Sequence, residues 1–264
     1  MTTLVMGLKG AYYIFWREIK RFMGQKMRIL MSLVQPVIWL VLMGSMMARL
    51  TDNPVTAEMI GIDNYLAFMV PGVMMMSSLY TGVFGGISII WDRRMGFLIK
   101  LLSAPIPRYS IALGKIAALV LQTIFQASVI VLLAFMMGIT FVTGLPGIML
   151  TLVICGLFAA IMSCISLFLS ASIRTPETLF SVINFLTLPL VFSSSALFPT
   201  AAMPDWIQVI ARFNPISYAV APVRSLVISG WDWSTLFTGM WLLLLMFLVF
   251  FSLVYYRFEK GSLL

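Results

Sequence analysis

Six apolar stretches, each long enough to cross a lipid bilayer as a helix, limit what this chain can fold into. A membrane-spanning helix needs about 20 consecutive, mainly apolar residues. The sequence predicts spans at about 29–48, 64–91, 111–138, 146–171, 178–198 and 233–256. Only 10% of the 264 residues are charged, whereas a soluble domain carries about 25%. We therefore predict an all-α integral membrane protein with six transmembrane helices in a single transmembrane domain over residues 1–264.

The basic residues lie mainly on one side of these predicted spans. Of the 17 lysines and arginines, only Arg49, Arg212 and Arg224 fall on the opposite side. Cytoplasmic segments of membrane proteins carry the excess of Lys and Arg. Both termini and residues 92–115 are therefore predicted to be cytoplasmic. The same rule accounts for the net charge of +8, so we expect a lipid bilayer around the chain and no nucleic-acid partner.

The N-terminal segment, residues 8–26, is predicted to form an amphipathic helix. At about 100° per residue, its aromatic and aliphatic side chains share one face and its basic side chains share the other. Ile14 and Glu18 interrupt this pattern. A basic amphipathic helix with aromatic residues on its apolar face lies in the membrane interface. The alternative is a plain cytoplasmic start to the first span.

Residues 92–104 predict a second amphipathic helix, which lies in the cytoplasm between spans two and three and ends at Pro105. Its polar side, expected to face the cell, includes Asp92, Arg93 and Lys100, whereas Arg94 falls on the apolar side. The apolar side, expected to rest on the helix bundle, consists of Met95, Phe97, Leu98, Ile99, Leu101 and Leu102. The alternative is a solvated loop that follows the membrane surface.

Residues 199–232 are too polar and too rich in proline for one span, yet too apolar for a free loop. Two short helices that dip into the outer leaflet fit this composition, because non-helical backbone is tolerated at membrane depth where protein buries it. We expect a re-entrant outer hairpin before the sixth span.

No catalytic motif accompanies these segments. The pair Gly114-Lys115 lacks the remainder of a Walker A motif, since Tyr109 replaces its leading glycine and Ile116 its Ser or Thr. Histidine is absent from the sequence, and no metal cluster is recognisable. We expect neither an enzyme nor a metal site nor a cofactor bound by this chain. Lys115 is interpreted as a side chain whose charge reaches the membrane surface.

Uncharged polar residues within the predicted spans could form a path for a lipophilic or amphiphilic substrate. The candidates are Gln35, Gln122, Gln126, Asn184 and Ser194. The alternative for each of them is a hydrogen bond that holds two helices together.

Two motifs resemble those of a known family. The string W-D-R-R-M-G-F-L-I-K-L-L-S-A-P-I-P-R at 91–108, followed by Leu113-Gly114-Lys115, resembles the cytoplasmic segment of the ABC-2 family of export permeases. A second motif before the last span is similar to a signature of that family. Its residues include Pro204, Pro215, Tyr218 and Arg224.

The resemblance implies the transmembrane subunit of an ATP-driven exporter of drugs, lipids or glycan-lipids in the prokaryotic cytoplasmic (inner) membrane. Two cytoplasmic ATPase subunits would bind ATP and Mg, and a second permease copy would complete a homodimer, or a close relative a heterodimer. The helix at 92–104 would act as a coupling helix, and the N-terminal helix would clamp the ATPase from its other side. The implied coupling residues are Arg17, Glu18, Arg21, Asp92, Arg93, Arg94, Phe97 and Lys100.

Two other classes stay open at this stage. One is a channel or carrier that works without an ATPase, and the other is a membrane scaffold that transports nothing. Proton-coupled carriers usually need carboxylates within the membrane, and none falls in the middle of a predicted span. This argues against a proton-driven carrier.

Overall fold

A computed structural model describes residues 2–46, 64–200 and 203–260 of the chain. The end of the first predicted span, Arg49 and the loop up to residue 63 lie outside these described ranges. The helices are α1 (Thr2–Gly24), α2 (Lys26–Ile38), α3 (Tyr65–Phe84), α4 (Ile87–Arg94), α5 (Phe97–Leu102), α6 (Tyr109–Met136), α7 (Gly144–Ser172), α8 (Pro176–Phe192), α9 (Asp205–Phe213), α10 (Pro215–Arg224) and α11 (Trp233–Lys260). Turns of π-helix follow α2 (Trp39–Met43) and α10 (Ser225–Ser229).

Within the described ranges, five helices are long and apolar enough to cross a membrane, which supports the predicted class of protein. They cover Lys26–Met46, Tyr65–Arg94, Tyr109–Met136, Gly144–Ser172 and Trp233–Glu259. The predicted fifth span corresponds to α8, an apolar helix of only 17 residues. At 1.5 Å per residue, it measures about 25 Å, slightly less than the roughly 30 Å hydrocarbon core. The exact six-span topology therefore stays a prediction.

The glycines and proline of residues 144–147 favour a turn at those positions. The turn between α6 and α7 lies before them in the chain. Gly144 starts α7, and Pro146 lies in its first turn, where the missing N–H of proline costs no helical hydrogen bond. The chain reverses within residues 137–143, where Gly138 adopts a φ of 82°.

The predicted continuous helix over residues 92–104 is wrong, because a glycine divides it. Gly96 has a φ of 68°, in the left-handed region that glycine enters without steric cost. Asp92 therefore belongs to α4, which extends the second span, and only α5 forms a separate short helix. The break also changes which side chains face outward: Met95 and Ile99 are 73% and 54% exposed, although the sequence placed both on the packed side.

The N-terminal segment forms the predicted helix, α1, and its packed side includes the two residues that interrupt the amphipathic pattern. Ile14 and Glu18, the two exceptions to the amphipathic pattern, are buried, and Ile14 lies against Gly114 of α6. Tyr12 and Trp16 of the predicted apolar face stay exposed. Such a helix has a packed side and a separate apolar side, and the interfacial position of that second side remains a prediction.

The contact between α1 and α6 depends on the missing side chain of Gly114. A Cβ atom there would lie 2.6 Å from the carbonyl oxygen of Ala11 and 2.8 Å from Cβ of Ile14. We expect Gly114→Ala to lower the free energy of unfolding by about 1–3 kcal/mol, since overpacking forces backbone shifts of this cost. Thermal unfolding in detergent measures the effect.

Gly24→Ala is the matched control for this prediction. Gly24 ends α1, and a Cβ there would meet nothing within 4 Å, so this variant should unfold at or slightly above the wild-type temperature. Equal unfolding temperatures for Gly114→Ala and the wild type would contradict the close packing of the two helices.

A hydrophobic cluster at the end of the bundle that carries α1 and α5 fixes these helices to the long ones. It includes Ile14 of α1, Ile89 of α4, Leu98 of α5, Ile116 of α6 and Phe258 of α11, each at most 5% exposed. Burial of a large aliphatic or aromatic side chain contributes about 1.5–3 kcal/mol. The cluster therefore holds α1, α4 and α5 in a fixed position against the bundle, around the polar site described below.

Two helices occupy the segment predicted as an outer hairpin. The first, α9, is largely exposed, whereas α10 buries Ile216, Val220 and Val223 and packs against α3 and α11. Residues 201–202, which fall within the predicted hairpin, lie outside the described ranges.

Candidate functional site

Buried charges meet where α1, α4 and α6 come together, and we call Arg17, Glu18, Asp92 and Lys115 the ion cluster. Lys115 lies at the start of α6 and is 1% exposed. Its ammonium nitrogen donates to Asp92 Oδ2 at 2.7 Å, to Glu18 Oε1 at 3.0 Å and to Ser88 Oγ at 2.9 Å. These bonds use all three N–H groups of the ammonium, so the buried charge is fully satisfied.

Arg17 extends the ion cluster to α5. Its guanidinium bonds Glu18, donates to Asp92 Oδ2 at 2.9 Å, and lies over the ring of Phe97 with 4.2 Å to the ring centroid. Arg21 adds a longer contact of 3.6 Å to Asp92 Oδ1. The carboxylate of Asp92 in α4 thus joins α1 to α6. Arg17 adds the contact to α5 through the ring of Phe97.

The environment shifts the pKa of both neighbouring α1 side chains. Burial raises the pKa of Glu18, but Lys115 and Arg17 lower it more strongly, so this pKa lies below its ordinary value of 4.5. Burial lowers the pKa of Arg17, but hydrogen bonds and attraction from Glu18 and Asp92 raise it more strongly, so this pKa lies above its ordinary value. Both groups are therefore charged at neutral pH.

The stability contribution of Glu18 should depend on pH. Because the pKa of Glu18 is lower in the folded chain than its ordinary 4.5, its contribution is present above that value and is lost as the pH falls through the folded pKa. We expect Glu18→Gln to unfold well below the wild type at pH 7, and the difference to shrink below pH 4.5.

Unfolding temperatures between pH 7 and about pH 3.5 measure this difference. Glu177→Gln provides a control, since Glu177 is an exposed carboxylate that pairs with Arg94 on the surface. A constant difference between wild type and Glu18→Gln over this range would contradict the charged state of Glu18.

A cavity of about 180 Å³ lies between α2, α3 and α6, next to the ion cluster. Three of the predicted path residues, Gln35, Gln122 and Gln126, line it. Oε1 of Gln126 accepts hydrogen bonds from Ser77 at 3.1 Å and from Thr81 at 2.6 Å. The structure thus brings one glutamine of α2 and two of α6 to one cavity wall.

A second cavity of about 450 Å³ adjoins the first on the side of the ion cluster. The two cavities share wall residues, among them Arg28 and Gln122. Glu18, Arg21 and Lys115 line the second one. A polar passage therefore leads from the ion cluster to the glutamines.

The other two predicted path residues lie elsewhere. Asn184 is exposed on α8, and Ser194 is fully buried beyond the end of that helix, where its hydroxyl donates to the carbonyl oxygen of Val191. Neither lines the cavities, so the structure brings together only three of the five candidates.

A family model described as ABC-2 type transporter matches residues 10–228, a range that contains the ion cluster, both cavities and Arg224. This chain belongs to the ABC-2 type transporter family.

Relatives of this ABC-2 permease carry matching names. It is 30% identical over 209 residues to the putative transport permease ycf38 of Cyanophora paradoxa, which covers 78% of this chain and 70% of the relative. It is 24% identical over 216 residues to the daunorubicin resistance ABC transporter permease protein DrrB1 of Streptomyces coeruleorubidus, with 80% and 72% covered. The probable multidrug ABC transporter permease YbhR of Escherichia coli K12 is 23% identical over 199 residues, with 75% and 53% covered.

The predicted coupling residues of this ABC-2 permease occupy different environments. Asp92 and Glu18 are buried in the ion cluster, so the expectation that Asp92 faces the cell is wrong. Arg93 donates to the carbonyl oxygens of Ser170 and Ile173, where a cation favourably caps the C-terminal end of α7. Among these residues Arg21, Arg94 and Lys100 are exposed on the surface.

The signature residues of the permease lie together at the opposite end of the bundle. Arg224 donates to the carbonyl oxygen of Ser195 at 2.7 Å and lies 3.7 Å above the ring of Phe68. The hydroxyl of Tyr218 donates to the carbonyl oxygen of Arg212, Pro215 starts α10, and Pro204 precedes α9. Arg224 thereby ties α10 to the turn after α8 and to the start of α3.

Lys115 is the residue that the sequence argument missed. Its assignment as a side chain that reaches the surface is wrong, because 1% of it is exposed and its charge is paired internally. The available signal was the pair of carboxylates, Glu18 and Asp92, in two amphipathic segments on the same side of the membrane. Buried carboxylates require a cation, and Lys115 was the cation inside a neighbouring apolar stretch.

Proposed function

We propose that this chain is the permease subunit of an ATP-driven exporter whose ATPase is a separate cytoplasmic protein. Membership in the ABC-2 type transporter family and the names of the drug-resistance relatives support this. The observation that carries the proposal is the ion cluster, which joins the two cytoplasmic helices α1 and α5 to the third span. Through these contacts, a displacement of α1 or α5 at the membrane surface would also displace α6 within the membrane.

In this proposal α8 is the fifth of six spans, both termini are cytoplasmic, and α9 and α10 form the outer re-entrant hairpin. Two permease copies, expected to be identical, pair with two ATPase subunits, which bind ATP and Mg. The chain lies in a prokaryotic cytoplasmic membrane. The distribution of Lys and Arg supports the orientation, and the length of α8 is tolerable because bilayers thin around short helices.

We propose that the ATPase binds a docking surface formed by Arg94, Met95, Ile99 and Lys100. Met95 and Ile99 are large apolar side chains that are mostly exposed, and basic side chains flank them. Apolar anchors within a charged rim are typical of protein interfaces. Leu98, on the opposite side of α5, is fully buried. A displacement of the docking surface would therefore also displace Leu98 and the cytoplasmic end of the bundle against which it packs.

ATP-driven closure of the ATPase dimer would displace α5 and α1 together, because Arg17 contacts Asp92 and Phe97. Lys115 would transmit the displacement to α6. Since Glu18 and Lys115 also line the larger cavity, the movement would reshape the passage that holds a hydrophobic or amphiphilic substrate. No step of this scheme requires chemistry by the permease itself.

Co-purification tests the proposed function. The full chain is isolated from its native membrane in a mild detergent, and bound proteins are identified by mass spectrometry. We expect an ATPase with a Walker A motif in about equal amount, and ATP-dependent substrate transport after reconstitution of the pair. Transport by the permease alone, with no ATPase bound, would instead indicate a channel or carrier.

A further inference from the structure

The two adjoining cavities contain more positive than negative charge. Arg17, Arg21 and Lys115 surround the two carboxylates of Glu18 and Asp92. Arg28 then lines both cavities and has no carboxylate partner among the described residues. Its NH1 donates only to the neutral side chain of Gln25, at 3.3 Å. An anionic group near Arg28 would balance this excess.

The cavity wall also presents amide groups that lack protein partners. Gln122 is 7% exposed, and its side chain makes no hydrogen bond to another part of the chain that the structure describes. Gln126 is 3% exposed and uses its oxygen for Ser77 and Thr81, which leaves its NH₂ group available. Because both glutamines line the cavity, their free amide groups are accessible to a ligand. A polar ligand group in the cavity could therefore form hydrogen bonds with them.

The shape of the passage suits an elongated molecule. Arg28, Ser32 and Gln35 of α2 and Trp39 of the following π turn line the passage, and the eleven steps from Arg28 to Trp39 correspond to a rise of about 16 Å. Apolar side chains, including Val73 and Met76, form the facing wall. Pro36 and Leu40 are the buried side chains of α2 and its π turn, so the passage runs beside a helix that contacts the bundle along a narrow strip.

We propose that the joined cavities bind an amphiphile with an anionic headgroup, whose anion lies beside Arg28 and Arg21 and whose apolar part follows α2 past the glutamines. This inference rests on the proposed transport function and names its substrate class. A positively charged headgroup fits the site poorly, since it would add to the surplus of cations.

Binding to the purified full chain tests the proposal without any ATPase. Short-chain phosphatidylglycerol, short-chain phosphatidylcholine and a trimethylammonium lipid of the same chain length are titrated in a neutral detergent, with thermal stabilisation as the readout. We expect an affinity about tenfold higher for phosphatidylglycerol than for phosphatidylcholine, because both lipids carry a phosphate but only phosphatidylcholine adds a cation, which the surplus positive charge of the site repels. The trimethylammonium lipid should bind most weakly.

Variants locate the site. Arg28→Gln should remove most of the preference for phosphatidylglycerol, and Gln122→Leu should weaken binding of all lipids. Arg108→Gln, a change of an exposed arginine outside both cavities, is the matched control and should keep the preference. Inorganic phosphate at the same concentrations should not displace the lipid, because the apolar part supplies much of the affinity.

Four results would overturn the inference: equal affinities for the three lipids, a preference that survives Arg28→Gln, a preference lost equally in Arg108→Gln, or full displacement by phosphate. These results are independent of the ATPase. A chain that co-purifies with its ATPase but binds all three lipids equally would refute the substrate class and leave the proposed function intact.

Discussion

Lys115→Met is expected to lower the free energy of unfolding by about 3–5 kcal/mol, because removal of one partner leaves uncompensated charge in a buried site. Glu18 and Asp92 would lose the ammonium that now lies 3.0 Å and 2.7 Å from them. Methionine is close to lysine in size and unbranched, so the loss of charge dominates over any loss of packing. Thermal unfolding in detergent and limited proteolysis of α1 are the measurements.

A compensated variant separates the charge effect from a loss of side-chain volume. In the triple change Lys115→Met, Glu18→Gln and Asp92→Asn, no carboxylate remains without a partner, and we expect a large part of the stability to return, since apolar or neutral replacements of buried ion pairs are often well tolerated. Transport should stay impaired, because the link between α1, α4 and α6 is absent. A single Lys115→Met variant as stable as the wild type would contradict the ion cluster.

Two acidic substitutions in the docking surface are expected to weaken ATPase binding strongly without unfolding the permease. Ile99→Asp together with Lys100→Glu replaces an exposed apolar anchor and a flanking cation. Loss of an interface anchor costs about 2 kcal/mol or more, so the ATPase affinity should fall at least about 30-fold. The unfolding temperature should change little, because Ile99 is 54% exposed and Lys100 is also on the surface.

The matched control lies at the other end of the molecule. Val209 and Arg212 form a similar exposed apolar and basic pair on α9, and Val209→Asp with Arg212→Glu should leave ATPase binding unchanged. The proposal that α5 docks the ATPase would be refuted by full co-purification of the Ile99 and Lys100 variant. Loss in both variants would indicate a general effect of added negative charge.

Hydropathy predicted the long helices of this chain because the bilayer imposes a single requirement on them, a run of apolar residues of sufficient length. The same scale could not locate the break at Gly96. The residue is one of 18 glycines, and only its left-handed φ of 68° divides the predicted helix. Nothing in the apolar pattern distinguishes such a glycine from one that lies within a helix.

The sequence predicted the helix α1 but not which of its side chains pack against the other helices. An amphipathic pattern separates apolar from polar residues, whereas helix packing selects small residues and partnered charges. Gly10 and Gly114 allow close approach, and Glu18 is buried because Lys115 neutralises it. Glu18 therefore lies inside although it is ionisable, whereas Tyr12 and Trp16 of the predicted apolar face are exposed.

The candidate site was predictable in its parts but not as a whole. Glutamines in apolar stretches pointed to a passage, and three of them share one cavity. Asn184 had the same sequence signal but faces outward on α8, because the helix phase set by Thr187 and Ile183 turns it away from the core. Only the spatial arrangement of the spans decides which polar residues meet.

Lys115 belongs both to the ion cluster and to the wall of the larger cavity. If the ATPase and the cargo each favour one arrangement of this side chain, thermodynamic reciprocity applies to them. The factor by which a docked ATPase changes cargo affinity must equal the factor by which cargo changes ATPase affinity. A permease with bound cargo would then bind its ATPase with a different affinity from an empty one. The ammonium group of Lys115 alone would couple the two binding events.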